Sequence, residues 1–328
     1  IGKVHRRPLV DRLMRALLAA VLTVPSRLRA AAALGRAFAF AAPLLPRRFA
    51  AALRLAARLP RGRAGAYAPP VAGAKRGRVA LLSGCVQDAA APAINAALRR
   101  LLARGGMESV VLDAPCCGAL DAHLGRKDAA RDKARAVVAA LARAEAGSRF
   151  DAVVQASSGC GSMLGDYAHL LAGDDEWAAR ARDFAALVRD PAEVLAGLDL
   201  PFDRGRALPK VVWQAPCSLA NGQGVVAEPL DLLRRAGFDI AFPADGGRCC
   251  GAGGVYNALE PEMAEALARA KAGALGASGA TVVVSANIGC MVQLGGQGAL
   301  PVVHIAELLD WAAGGPEPAV LKDFAAGL

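Results

Sequence analysis

The eight cysteines of this 328-residue chain fall into two sets with nearly the same internal order: one Cys, an adjacent Cys-Cys-Gly, then one more Cys preceded by Gly. The first set is Cys85, Cys116, Cys117 and Cys160; the second is Cys217, Cys249, Cys250 and Cys290. The gaps are 30 and 42 residues in the first set and 31 and 39 in the second, so a duplicated unit carries two four-thiol sites. Four thiolates are a full ligand set for a metal ion or an iron-sulfur cluster. For a single cysteine the plain alternative is a small buried hydrophobe. Eight at matching positions in two copies argue against it.

Periodicity and punctuation around the cysteines predict a repeated α/β scheme. Strands are expected over Arg78 to Ser83, Ser109 to Asp113 and Phe150 to Gln155, each ending at a cysteine, with helices over Ala91 to Ala103, Asp128 to Ala144 and Met163 to Leu171. The second half repeats this with strands over Lys210 to Trp213, Phe238 to Phe242 and Thr281 to Ser285, and helices over Glu228 to Arg235 and Pro261 to Leu275. Between the halves, 172–208 reads as an acidic connector, helical around Trp177 to Val188 and Pro191 to Gly197. Every cysteine then sits just after a strand and before a helix. In a parallel sheet those loops share the carboxyl edge, where ligands bind, and right-handed crossovers repeat the arrangement in both halves. The fold class expected is therefore α/β: two pseudo-twofold-related β-α-β-α-β units with parallel strands, preceded by a basic helical arm. The expected organisation is 1–77 for the arm and linker, 78–208 for the first unit with its connector, and 209–328 for the second.

Charge is concentrated in the arm. Residues 1–78 hold 17 Lys or Arg against the single acid Asp11, while the remainder carries a net −6, so the net +10 belongs to the N-terminal segment. Arg6, Arg7, Arg12, Arg15, Arg27, Arg29, Arg36, Arg47, Arg48, Arg54 and Arg58 interleave with apolar residues at helical spacing, which reads as basic amphipathic helices broken at Pro25, Pro43 and Pro46. Their cover is a partner subunit, anionic lipid, or the domain itself; the plain reading is a solvated basic face. Nucleic acid is not expected, because no binding motif accompanies the charge. Arg61 to Gly77, rich in Gly and Pro, reads as a linker. Apolar content is 55%, yet no run approaches the length of a membrane-spanning helix and no secretory signal pattern is present. A cytoplasmic location is expected, and there clustered cysteines are ligands or redox groups more often than disulfides.

The motifs Gly84-Cys85-Val86-Gln87, Cys116-Cys117-Gly118-Ala119, Ser158-Gly159-Cys160-Gly161, Pro216-Cys217-Ser218-Leu219, Cys249-Cys250-Gly251-Ala252-Gly253 and Ala286-Asn287-Ile288-Gly289-Cys290 carry a resemblance. They resemble the iron-sulfur subunits of bacterial glycolate oxidases and, more broadly, the cysteine-rich CCG domains of the heterodisulfide reductase superfamily. In the reductases the last element closes as Cys-x-x-Cys. Here that position is Met163 or Gln293, so a fifth thiol is absent and the shorter glycolate oxidase pattern fits better. The resemblance implies an iron-sulfur cluster, [4Fe-4S] above all, held by all eight cysteines, with zinc an alternative in one set. It implies FAD in partner subunits that oxidise glycolate, and electrons passed on to a quinone at the cytoplasmic face of the inner membrane, where the arm would dock. It also implies an upstream ferredoxin-like part with Cys-x-x-Cys-x-x-Cys runs. The chain has no such run and does not begin with Met, so a fragment of a longer protein is expected.

Two other readings stay open: a thiol- or quinone-reducing subunit whose cluster is itself the reaction site, and a zinc-stabilised assembly module without redox function. No glycine-rich dinucleotide loop follows a strand, and His5, His123, His169 and His304 lack metal-ligand spacing. His123 and His304 could tune a cluster or serve a quinone's protons; a satisfied interior His is the plainer reading of each.

Overall fold

The computed structural model describes residues 7–60, 76–245 and 247–326. Most of the stretch read as a linker, Gly246 in the second cysteine loop, and Arg6 lie outside the described residues. Two four-stranded, all-parallel sheets form the framework. The first holds β1 (Gly77–Leu81), β2 (Met107–Val111), β3 (Ala152–Val154) and β4 (Val188–Arg189) in the order β2-β1-β3-β4. The second holds β5 (Val211–Trp213), β6 (Ile240–Ala241), β7 (Val282–Ser285) and β8 (Val302–His304) in the same relative order, β6-β5-β7-β8.

The strands are short, apolar and buried on both faces, as parallel strands covered by helices must be. Alternate residues of one strand enter different cores. Val79, Leu81, Ala152 and Val154 face an inner core together with Val211, Trp213, Val282 and Val284, whereas Ala80, Leu82 and Val153 face an outer core of the first unit and Val212 and Val283 an outer core of the second. The inner core is thus common property. Helices Ala93–Arg104 and Ile305–Ala312 pack against each other inside it, and Asp310, 1% exposed, accepts from Arg100 at 2.6 Å and Arg104 at 2.5 Å across the pair.

Each sheet has a fourth strand beyond the β-α-β-α-β scheme; in the second it is β8, on the strand-like run that leads to His304. β4 falls at the end of the segment read as helical to Val188: helix Ala178–Leu187 stops and Val188–Arg189 pairs with β3. The segment expected to turn helical at Met163 is already helical from Ser158, with a break at Asp166 before Tyr167–Leu170. Gly159, Gly161 and Gly165 have poor helix propensity; packing of the cysteine-bearing turn overrides it.

The arm forms helices Leu9–Leu22, Pro25–Phe38 and Arg47–Arg58 with a 3-10 segment, Ala39–Leu44, between the last two. Pro25 opens the second helix and Pro46 precedes the third, as expected, whereas Pro43 lies inside the 3-10 segment. The protein itself covers one face. Met14, Leu18 and Ala19 pack on Leu124 of the first unit and on Val255, Ala258 and Leu259 of the second. Asp11, the arm's one acid, is buried and takes Arg15 at 2.8 Å and Arg48 at 3.1 Å, and Arg48 reaches on to Glu260 at 3.1 Å. The opposite face is bare: Leu9, Val10, Leu13, Leu17, Phe40 and Leu44 are at least half exposed. Among the described residues no single helix is long and apolar enough to cross a membrane; only the bent pair Leu9–Leu22 with Pro25–Leu44 has the length and composition.

Removing the acid at the centre of the shared core leaves two guanidinium groups without their buried partner. Asp310→Leu is expected to lower the unfolding free energy by about 3 kcal/mol, read from urea denaturation, while an exposed pair such as Lys210 with Asp239, 3.6 Å apart, should cost less than about 1 kcal/mol when broken.

Candidate metal centre

In each sheet the strand order reverses direction of growth between the two central strands, β1 and β3 or β5 and β7, and the crevice beyond their carboxyl ends is the place such folds reserve for ligands. The cysteines are there. Cys85 opens helix Cys85–Ala90 after β1, Cys116 and Cys117 follow β2, and Cys160 lies in the first turn of helix Ser158–Gly165 after β3. Cys217 opens helix Cys217–Ala220 after β5, Cys249 and Cys250 follow β6, and Cys290 lies in the first turn of helix Ile288–Gly295 after β7.

Each set holds one close sulfur-sulfur contact, between different members. In the first set Cys85 Sγ is 3.2 Å from Cys116 Sγ, and the Cys117 thiol interacts electrostatically with both Cys116 and Cys160. In the second, Cys250 Sγ is 2.9 Å from Cys290 Sγ, and the Cys249 sulfur interacts electrostatically with Cys217 and Cys250. All eight predicted residues are therefore gathered, four and four. All are free thiols. One sulfur in each set takes the negative charge. Cys116 is brought down to about 3 by hydrogen bonds from the Cys117 and Cys85 thiols, helped by the Gly118 amide and the charge of Lys133. Cys249 is brought down to about 2 by hydrogen bonds from Cys217 and Cys250, helped by the Gly251 amide and Lys271. The donor thiols Cys85, Cys117, Cys217 and Cys250 are pushed up, by those same bonds first and burial after.

The two sites differ in openness: Cys116 and Cys160 are half-buried and their partners buried, whereas Cys217 and Cys249 are exposed. They also differ in their amides. At the first site Gln155 Nε2 is buried without an acceptor and lies over Gly84, beside Cys85, and Gln87 Oε1 is likewise unpaired. At the second, Ser285 Oγ donates to Gln214 Oε1 at 2.7 Å and Gln214 Nε2 to the Ala215 carbonyl at 3.1 Å.

The donor set fits a thiolate-held metal group, and the spare Gln155 amide hydrogen fits a sulfur acceptor at the first site. Among the described residues no three His, Cys, Asp or Glu side chains stand in a ready single-ion arrangement. The Cys85–Cys116 and Cys250–Cys290 contacts, 3.2 and 2.9 Å, are shorter than the roughly 3.8 Å between thiolates around tetrahedral zinc, so a single ion spreads the loops slightly and a cluster, whose thiolates each bind a separate iron, spreads them considerably more.

The Cys-Cys-Gly turn needs its glycine. Gly118 and Gly251 have φ of 85° and 82°, and a side chain at either would run into helix Lys127–Ala144 or Pro261–Gly276, 3.1 Å from the Ala130 carbonyl oxygen at Gly118 and closer still to that of Ala264 at Gly251.

Other residues settle into supporting places. Met163 and Gln293, where a fifth thiol would stand, face the interior; Gln293 accepts from Asn257 at 3.0 Å and donates to the Ala264 carbonyl at 3.3 Å. His304 is the satisfied interior histidine: Nδ1 accepts from Ala306 N at 3.1 Å, so Nε2 carries the proton donated to the Ala156 carbonyl at 2.9 Å. His123 is exposed and touches the backbone at Gly254 of the other unit's cysteine loop. Three contributors carried no motif. Lys133 pairs with buried Asp121 at 2.5 Å and Lys271, itself buried, with Asp245 at 2.9 Å, and Tyr167 donates to the Cys117 carbonyl at 2.8 Å. The only sequence signal is Lys271 standing on the apolar stripe of its helix beside Ala264, Ala268, Ala272 and Leu275.

Residues 79–165 and 211–295 each match the cysteine-rich CCG domain. The chain is 36% identical over 75% of its length to the "Probable glycolate oxidase iron-sulfur subunit" of Bacillus subtilis, and 33% identical over 94% to the "Glycolate oxidase iron-sulfur subunit" of Escherichia coli. The chain belongs to the family of glycolate oxidase iron-sulfur subunits. It spans 57% of the Bacillus relative's length and 73% of the Escherichia relative's. A solved "hypothetical protein from Helicobacter pylori" superposes on 82% of the chain and 54% of its own length, with a TM-score of 0.50 at 12% identity, a likeness of fold alone.

Two tests follow from this CCG geometry. Gly251→Ala should destabilise by about 2 kcal/mol and by more than Gly118→Ala, seen as the order of melting temperatures. The second concerns His304, which burial depresses to about 4. The folded state then refuses a proton that the unfolded chain takes up near pH 6.5, so the contribution present above pH 6.5 is lost as pH falls toward 4. Relative to His304→Gln, the parent should lose about 3 kcal/mol of unfolding free energy across that window, measured by urea denaturation at each pH.

Proposed function

We propose that this chain is an electron-relay portion of a glycolate oxidase, with Cys85, Cys116, Cys117 and Cys160 holding one iron-sulfur cluster and Cys217, Cys249, Cys250 and Cys290 a second. The observation that carries the reading is the repeated meeting of four sulfurs at the switch point of each sheet, in a chain of this family. A cluster held by thiolates exchanges one electron at a time at a potential set by nearby amides and burial. The chain supplies what such a group requires: sulfur donors from three loops, the Gly118 and Gly251 amides, and lysines that offset thiolate charge. A thiolate-held cluster takes up single electrons and offers no hydride acceptor, so in this reading glycolate oxidation falls to a flavin-bearing partner and the electrons pass onward to a quinone.

The arm is the docking element in this reading. Its inward face is taken by both units and its outward face offers large apolar side chains among arginines, Leu44 being 86% exposed. That combination suits a partner subunit or the surface of an anionic membrane. The exposure of Cys217 and Cys249 supports one alternative, a second centre that itself engages a disulfide or quinone.

Anaerobically purified protein should be brown, contain iron and acid-labile sulfide, and bleach with dithionite. Cys117→Ser and Cys250→Ser should each remove close to half of the iron and lower the melting temperature, since ligand binding at such sites is folding free energy. Colourless protein with stoichiometric zinc would defeat the relay and the reductase readings together. Turnover of a disulfide or quinone by the isolated chain with an artificial electron donor, abolished by Cys249→Ser, would favour the alternative over the relay.

A further inference from the structure

We propose that Asn287 is a positioning residue that couples the two four-thiol centres, so that filling either one fixes a cysteine-bearing loop of the other. Its amide works in two directions. Oδ1 accepts from the backbone amides of Gly289 at 2.8 Å and Cys290 at 3.3 Å, capping the helix that carries Cys290. Nδ2 donates to Ser158 Oγ at 3.0 Å and Ser218 Oγ at 3.2 Å. Ser158 begins the helix that carries Cys160, and Ser218 directly follows Cys217. The two hydroxyls bond each other at 2.8 Å, the Ser158 amide donates to the Ala286 carbonyl at 3.0 Å, and Gln223 Nε2 donates to the Ser158 carbonyl at 3.0 Å. One side chain of the second unit thereby holds two loops of its own centre and, across the seam, one loop of the other.

The duplication provides an internal control. Matching Gly289-Cys290 to Gly159-Cys160 and Cys217 to Cys85 sets Asn287 against Ser157, Ser158 against Ile288, and Ser218 against Val86. At the symmetry-related place the seam is apolar: Ile288 lies in the shared inner core and Val86 packs on it, and the Ser157 side chain caps nothing. The fold therefore closes its seam without a polar bridge on one side of the dyad. On the other it spends a partly buried network of mutually bonded side chains around the buried Ser158, the kind of element that favours one arrangement and transmits a change in it. Coupling of this sort is reciprocal: what the second centre does to the first, the first does equally to the second.

The proposal rests on both thiol sets holding metal groups, and it is indifferent to whether these are iron-sulfur or zinc. A mutant cycle on the anaerobically purified chain tests it, with Cys250→Ser weakening the second centre and the first centre read by transfer of its metal to a chelator, ferrous or zinc according to what the protein holds. With the network intact, Cys250→Ser should speed release from the first centre about tenfold; in Asn287→Ala, or in Ser158→Ala with Ser218→Ala, the same change should alter an already fast release by less than about twofold. Asn287→Asp, which keeps the cap and accepts from both hydroxyls, should restore the coupling. Should Asn287→Ala not fold, the hydroxyl pair decides, because it leaves the helix cap in place. Equal acceleration with and without the network, or a first centre indifferent to Cys250→Ser, overturns the proposal while leaving the metal reading intact. Protein that binds neither iron nor zinc overturns both.

Discussion

Four thiols packed sulfur against sulfur cannot all ionise. In each set one thiolate, Cys116 or Cys249, is stabilised by protons that its neighbours keep, and a second negative charge at that spacing in a half-buried site is costly. A cation at the centre removes the conflict, because it lets the remaining protons leave and turns mutual repulsion into shared attraction. The rest of the protein serves to impose that crowding. Separate loops on flexible connections would drift apart; here each loop is anchored at the end of a buried strand and the start of a helix.

The imposition works through handedness and through shared burial. Right-handed crossovers send the chain outward from β1 to β2 and back to β3, which is why the first and last cysteines of a set face each other over the central strands and the vicinal pair closes from the side. Shared burial holds the two units to one another. Strand residues alternate between an inner core drawn from both sheets and an outer core belonging to one. The arm then lies over the outcome, Met14 and Leu18 reaching the segments that follow both Cys-Cys-Gly turns.

Much of this was legible in the sequence because ligand spacing and strand composition are local signals. The apolar runs Val-Ala-Leu, Ala-Val-Val and Val-Val-Val each lead into a cysteine-bearing loop, and that pattern alone puts all eight thiols after strands. What escaped was set by partners. β4 is two residues long and exists because β3 offers a free edge; nothing in Val188-Arg189 distinguishes it from the end of the preceding helix. The helix at Ser158 begins among glycines that argue against it. In the arm, Leu9, Leu13 and Leu17 are as apolar as Met14, Leu18 and Leu28, and only tertiary packing decides which set turns inward. Asn287 was visible as part of a motif, but its second function depends on two serines 129 and 69 residues away.

The common inner core carries a further consequence for how such a chain came about and how far it can change. One unit alone would present to water the apolar flanks of its helices Ala93–Arg104 and Pro191–Ala196, which here pack on Ile305–Ala312 and Ala227–Ala236 of the other unit, and an exposed apolar patch of that kind marks an interface. Two identical units facing each other about a true dyad would satisfy it, and a gene that joined them end to end would make the pairing permanent. From then on the inner surfaces are bound to one another residue by residue, while the outer cores, the loops at the sulfur sites and the seam are free to diverge. The closed, amide-rich first site and the open second one are what that freedom has produced.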